Sequence, residues 1–174
     1  MRIIKQLDFN HEALGYQLAI KMLTNGNCQV DLTMPNIPAD VPVFESGSIE
    51  GGFIGLVDWL VNRDMRDALE FCDQIEYELQ QRLINPDGPD LSFSGMQLAT
   101  VDDPCTKCKY TIWITTQGNL ITTITNAAGR FDWKHMENTS YARMQLSVIE
   151  FFGWSAAAKE LYTQCGIETI IELK

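Results

Sequence analysis

The chain has 174 residues and a formal net charge of −10, from 23 acidic and 13 basic residues, with 45% hydrophobic content. A domain takes about 100–200 residues, so one domain over 1–174 is expected, and four Trp, five Tyr and eight Phe exclude the aromatic-poor composition of a disordered chain. The acid excess opposes a phosphate backbone, whose binding rests on charge neutralisation, so direct nucleic-acid binding is not expected, and the acidity fits solubility, a cationic ligand or a basic protein partner equally well.

In chain order, residues 2–9 read as a strand. Asn10 then caps a helix over about 11–24, in which Leu14, Leu18 and Met22 keep a four-residue step. Asn25-Gly26 stops it, and Cys28, Val30 and Leu32 alternate with polar residues as a half-buried strand does. Residues 34–52 form the longest irregular stretch, with Pro35, Pro38 and Pro42 followed by Gly47, Gly51 and Gly52. Loops of that length are often functional.

Two helices are expected next. Phe53–Val61 is apolar almost all round, so it is buried in the fold or covered by a partner. Asp64 caps a second helix running to about Ile84, with Ala68, Cys72, Ile75, Leu79 and Leu83 inward. Asp58, Asp64, Asp67, Glu70, Asp73, Glu76 and Glu78 concentrate here, as a solvated face or as an acidic ridge for a basic surface.

After Asn85-Pro86-Asp87-Gly88-Pro89 the pattern turns to strands. Residues 91–98 alternate with a phase shift that suggests a bulge at Gly95, and Asp102-Asp103-Pro104 is a turn. A hairpin over 107–125, turning at Gln117-Gly118-Asn119, is the clearest β signal, and Phe131–Trp133 adds a short strand. Asn138 or Thr139 caps a helix carrying Tyr141, Met144 and Val148 and broken by Gly153. Ser155 caps a last helix that Gly166 stops, and Ile167–Leu173 reads as a closing strand. The fold class is α+β: a mainly antiparallel sheet, with room for one parallel pair in the opening strand–helix–strand, and about four or five helices mostly on one face.

No motif fixes a chemistry. Cys105-Thr106-Lys107-Cys108 has zinc-ligand spacing, yet a structural zinc needs four ligands and no second such pair exists. No cofactor is expected. His135, three residues after Asp132, is the best acid–base candidate, since a general base wants an orienting carboxylate. Glu45 and Glu50 are further acid–base candidates in a glycine-rich run that matches no phosphate-loop spacing. No G-x-S-x-G elbow occurs.

The apolar 53–61 stretch is broken by Asp58 and too short to span a membrane. The charged residues 1–9 do not read as a signal peptide. Five cysteines without framework spacing suit a reducing compartment, so the cytoplasm is expected; the sequon at Asn138-Thr139-Ser140 is then accidental. The expected function is a small acidic binding or regulatory protein acting through a protein partner or self-association, with Phe53, Leu56, Trp59 and Leu60 as the interface. The alternative is a small-molecule enzyme or ligand-binding domain, its cleft near the 34–52 loop and His135.

Overall fold

The computed structural model describes residues 1–35 and 41–169, so residues 36–40 of the irregular stretch and the end of the expected closing strand lie outside the described residues. The α+β class holds, with two antiparallel sheets and four helices among the described residues. Contacts concentrate in two units, Met1–Gln80 with Thr116–Gly118, and Gln81–Thr115 with Asn119 onward.

The first unit is built on a meander of β1 (Ile3–His11), β2 (Tyr16–Leu23), β3 (Cys28–Thr33) and β4 (Phe44–Ser46), paired antiparallel in that order. Side chains along a strand point alternately to opposite faces. Leu18, Ile20 and Met22 of β2 and Cys28, Val30 and Leu32 of β3 are therefore buried on one face, while Gln17, Ala19, Lys21, Gln29, Asp31 and Thr33 point to the other. Helix α1 (Ile49–Val61) covers the apolar face through Ile49, Phe53, Leu56 and Leu60, and α2 (Arg66–Glu78) packs against α1 with Ala68, Phe71, Cys72 and Ile75 buried. Each such Leu, Ile, Val, Met or Phe side chain contributes about 1.5–3 kcal/mol when fully buried.

Helix α1 begins at Ser48, whose hydroxyl accepts from the Gly51 N–H at 3.0 Å. Glycine inside a helix costs about 0.5–1 kcal/mol against alanine, yet Gly52 sits where a Cβ would lie 2.7 Å from Val30 Cγ2 and 3.3 Å from the Phe44 carbonyl oxygen. Gly51 and Gly52 at the end of the irregular stretch are thus helical, while Gly47 lies in a bend before the helix, and Gly52 lets the helix approach the sheet.

The second unit carries the sheet β5-β6-β7-β8-β9, formed by β5 (Gln80–Leu83), β6 (Leu91–Asp103), β7 (Cys108–Thr115), β8 (Leu120–Thr125) and β9 (Phe131–Met136). Helix α3 (Tyr141–Phe152) packs on β8 and β9, and α4 (Ala156–Gln164) on β6 and β7. Ser155 caps α4 by accepting from the Ala158 N–H at 3.1 Å. Tyr162 is fully buried, donates its hydroxyl to the Gly153 carbonyl at 2.6 Å, and has its phenol pushed up to about 12 by burial.

Several expectations are corrected. The segment 11–24 is not a helix: His11 ends β1, residues 12–15 form a turn, in which Gly15 adopts φ +67°, and β2 follows. The four-residue step of Leu18 and Met22 satisfies a strand's period as well as a helix's, and Ile20 between them decides for the strand. Strand–helix–strand is therefore a hairpin meander with no parallel pair. Asp64, at φ +52°, does not cap α2, whose N-cap is Met65. Helix α2 ends at Glu78, and Gln80–Leu83 joins the sheet, where pairing overrides the helical propensity of Gln, Arg and Leu. The register shift in β6 falls between Gln97 and Ala99 rather than at Gly95, where a Cβ would lie 2.1 Å from the Ile114 carbonyl oxygen. The turn after β6 begins at Pro104, two residues later than read, β9 extends to Met136, and Ser140 is the N-cap of α3. Ile167–Thr169 carry no strand.

Replacing Gly52 by alanine gains helical propensity but drives a methyl into the stiff Val30 side chain and the β4 backbone. Overpacking of this kind costs about 1–3 kcal/mol, so Gly52→Ala is expected to lower the thermal midpoint in a calorimetric melt. A raised midpoint would show that α1 does not lie this close to β3.

Candidate functional site

The outer, polar face of β1-β2-β3 holds a groove of about 290 Å³, lined by side chains of all three strands. Its origin is local. On the central strand the outward positions are Gln17, Ala19 and Lys21, so a bare methyl stands between two long side chains. Register then sets Asp8 of β1 opposite Ala19 on one side and Asp31 of β3 opposite Ala19 on the other. Neighbouring strands are about 4.8 Å apart, which puts two carboxylate-bearing residues across a hollow roughly 10 Å wide at the backbone. Asn10, Gln17 and Thr33 form the next rung, and Gln6 and Lys21 the rung on the other side.

The two carboxylates are held differently. Asp8 is exposed and accepts from Gln6 Nε2 at 2.7 Å. Asp31 is half-buried, with its side chain 20% exposed. Its Oδ2 pairs with Lys21 Nζ, while Oδ1 is buried and has no hydrogen-bond partner. Leaving a buried acceptor unsatisfied costs about 1–3 kcal/mol, more for a charged group. Among the described residues, one other buried side-chain polar atom has no partner, Trp113 Nε1, and it belongs to an indole packed edge-on with Phe93 at 5.6 Å.

The side chains singled out in sequence fall elsewhere. His135 and Asp132 are both exposed on β9, but three residues apart on a strand they point to opposite faces, so the structure does not bring them together. Glu45 and Glu50 are exposed, on β4 and the first turn of α1. The Glu45 carboxyl is held below its ordinary value, first by the Asn27 amide at 2.7 Å and then by that of Gln29 at 3.1 Å. Phe53, Leu56 and Leu60, expected as an interface, are buried against the first unit's own elements. Trp59 is half-buried, with the Arg63 guanidinium 4.0 Å from its ring centroid. The apolar surface α1 leaves exposed is Ile54 and Val61. The seven carboxylate residues from Asp58 to Glu78 are all exposed, with Asp64 paired to Arg66.

Cys105 stands in the turn between β6 and β7 and is exposed, and Cys108 opens β7 and is half-buried. That turn is organised by Asp103, whose carboxylate accepts from the Cys105 N–H at 2.9 Å, the Thr106 hydroxyl at 2.8 Å and the Tyr110 hydroxyl at 3.1 Å. The Cys105 N–H and then the Thr106 hydroxyl hold its carboxyl below the ordinary aspartate value. Among the described residues no group of three or more His, Cys, Asp and Glu is placed to hold a metal ion. Cys28, Cys72 and Cys165 are buried, and burial pushes each thiol up to about 12, so at neutral pH they are protonated and poor nucleophiles. No described helix is long and apolar enough to cross a membrane.

Comparison with known proteins finds no matching family model, no matching curated protein and no matching solved structure.

Because the Asp103 carboxyl is depressed in the folded state, its stabilisation is complete above the unfolded value of about 3.9 and is lost as the pH falls through the lowered one. Thermal midpoints measured from pH 6 downward should fall less steeply for Asp103→Asn than for the parent chain, from a lower starting point. Identical slopes would mean that the carboxylate does not hold the turn. With an aromatic disulfide reagent at neutral pH, Cys105 and Cys108 should react in the native protein, and Cys28, Cys72 and Cys165 only after denaturation. Rapid native labelling at all five would contradict the burial.

Proposed function

We propose that the chain is a small acidic binding or regulatory protein that acts through contacts with a basic protein partner. The observation that carries this reading is the groove over Ala19, where Asp8 and Asp31 face a single cation, Lys21, and one Asp31 oxygen has no partner. A groove of about 290 Å³ is at the small end of ligand pockets and suits one side chain better than a whole metabolite. The exposed carboxylates from Asp58 to Glu78 and the net charge of −10 add long-range steering toward a basic surface.

Self-association through α1 has less support, because three of its four expected contact residues are buried. The alternative of a small-molecule enzyme centred on His135 gains nothing from β9, where His135 and Asp132 diverge. We assign the protein to a reducing, cytoplasm-like compartment on its five free thiols.

Fluorescence anisotropy with labelled hexalysine, hexaarginine and hexaglutamate, at low and moderate salt, tests the reading. The basic peptides should bind and weaken severalfold as salt rises, because screening shortens the range of exposed charges, and hexaglutamate should not bind. Failure of both basic peptides to bind at low salt would overturn it.

A further inference from the structure

We infer that the β6–β7 turn is a thiol–disulfide element, in which Cys105 and Cys108 close an intramolecular disulfide by exchange with a small-molecule disulfide. It is independent of the groove and of the binding reading. Asp103 and Cys108 are cross-strand partners at the end of the ladder, and the chain reverses between them through residues 104–107. The Lys107 N–H donates to the Asp103 carbonyl oxygen at 2.8 Å, and Lys107 takes φ +58°, in the left-handed region that residues other than glycine rarely enter. The Asp103 carboxylate holds the same backbone through the Cys105 N–H and the Thr106 hydroxyl. Both thiols therefore sit on one tethered reversal. Cα atoms three residues apart across a chain reversal lie within about 7 Å, and a disulfide bridges about 4.4–6.8 Å. Cys108 Sγ is 3.7 Å from the Thr106 carbonyl oxygen, so the thiol folds back over the turn that carries Cys105.

Access and ligand count narrow the chemistry. Cys105 is exposed and Cys108 half-buried, whereas Cys28, Cys72 and Cys165 are buried and held as thiols. A structural zinc needs four ligands, and the described residues bring no third His, Cys, Asp or Glu into a metal-binding group with these two. Exchange needs only an accessible thiolate and a second thiol within reach. The Cys105 thiolate attacks one sulfur of a disulfide RSSR, forming a Cys105–SR mixed disulfide and releasing RS⁻. The Cys108 thiolate then attacks the Cys105 sulfur, closing the internal bond and releasing the second RS⁻. The two protons lost by the cysteines end on the two RS⁻, so the chain gives up two electrons and RSSR becomes two RSH. An exposed disulfide is of the labile kind, and reduced glutathione reverses the step.

Equilibration of the intact chain in mixtures of reduced and oxidised glutathione, quenched with acid and read by mass spectrometry without reductant, tests the inference. The native chain should lose two hydrogens and carry no glutathione. Trypsin cuts after Lys107, between the two cysteines, and should return their peptides joined. Cys108→Ser should stop at one glutathione on Cys105, and Cys105→Ser should form no internal bond. The peptide map of the parent chain carries the test if either variant fails to fold in a melt. The closed form should appear at a severalfold lower ratio of oxidised to reduced glutathione than in the chain unfolded in urea, because the folded turn holds the two thiols together. Glutathione left on both cysteines, a bond joining two copies, or the same ratio in the native and the unfolded chain would overturn the inference.

Discussion

The alternation of apolar and polar side chains along β1, β2 and β3 is the constraint on which the first unit depends. One face of the sheet is dry enough to seat α1, and the other cannot be covered without stranding Gln6, Asp8, Asn10, Lys21 and Asp31. The period is two, so a slip of one residue in β2 would exchange Leu18, Ile20 and Met22 for Gln17, Ala19 and Lys21. Register is therefore strongly fixed, and with it the placing of Asp8 and Asp31 on either side of Ala19. The groove and the core are two consequences of the same pairing. Gly52 serves the core side alone, by letting α1 close on Val30.

Two aspartates, one buried and one half-buried, are held in different ways. Asp103 is 6% exposed and accepts three hydrogen bonds from its own turn, so its charge is spent on local order. Asp31 meets a single partner and keeps a buried oxygen idle. A fold gains nothing in stability from the second arrangement, since an unsatisfied buried acceptor is destabilising. Such a deficit is relieved by any donor that reaches that oxygen, whereas the Asp103 carboxylate is fully engaged in its own turn.

How much of this the sequence discloses varies with the kind of signal. The 107–125 hairpin, the Ser155 cap and the Cys28–Leu32 strand are legible because alternation, turn residues and caps act locally. Helix α1 is legible as apolar, but only packing tells whether Phe53, Leu56 and Leu60 meet the chain itself or a partner. The β2 strand is hidden by a coincidence of periods, and with it goes the whole groove. Once 11–24 is read as a helix, Gln17, Ala19 and Lys21 no longer share a face. The signal was present in the alternation of those three with Leu18, Ile20 and Met22. The opposition of Asp8 and Asp31 across Ala19 has no local signature, because it arises from pairing between strands. His135 and Asp132 show the converse case, in which closeness in sequence places two side chains on opposite faces.

The most direct test is a titration of the isotopically labelled chain with hexaarginine, followed residue by residue in amide nitrogen–proton correlation spectra. A groove that holds a guanidinium should give its largest shifts at residues 6–10, 17–21 and 31–33, with smaller ones along α2 from bulk attraction. Saturable binding whose shifts leave those three segments untouched would contradict the groove as the binding site.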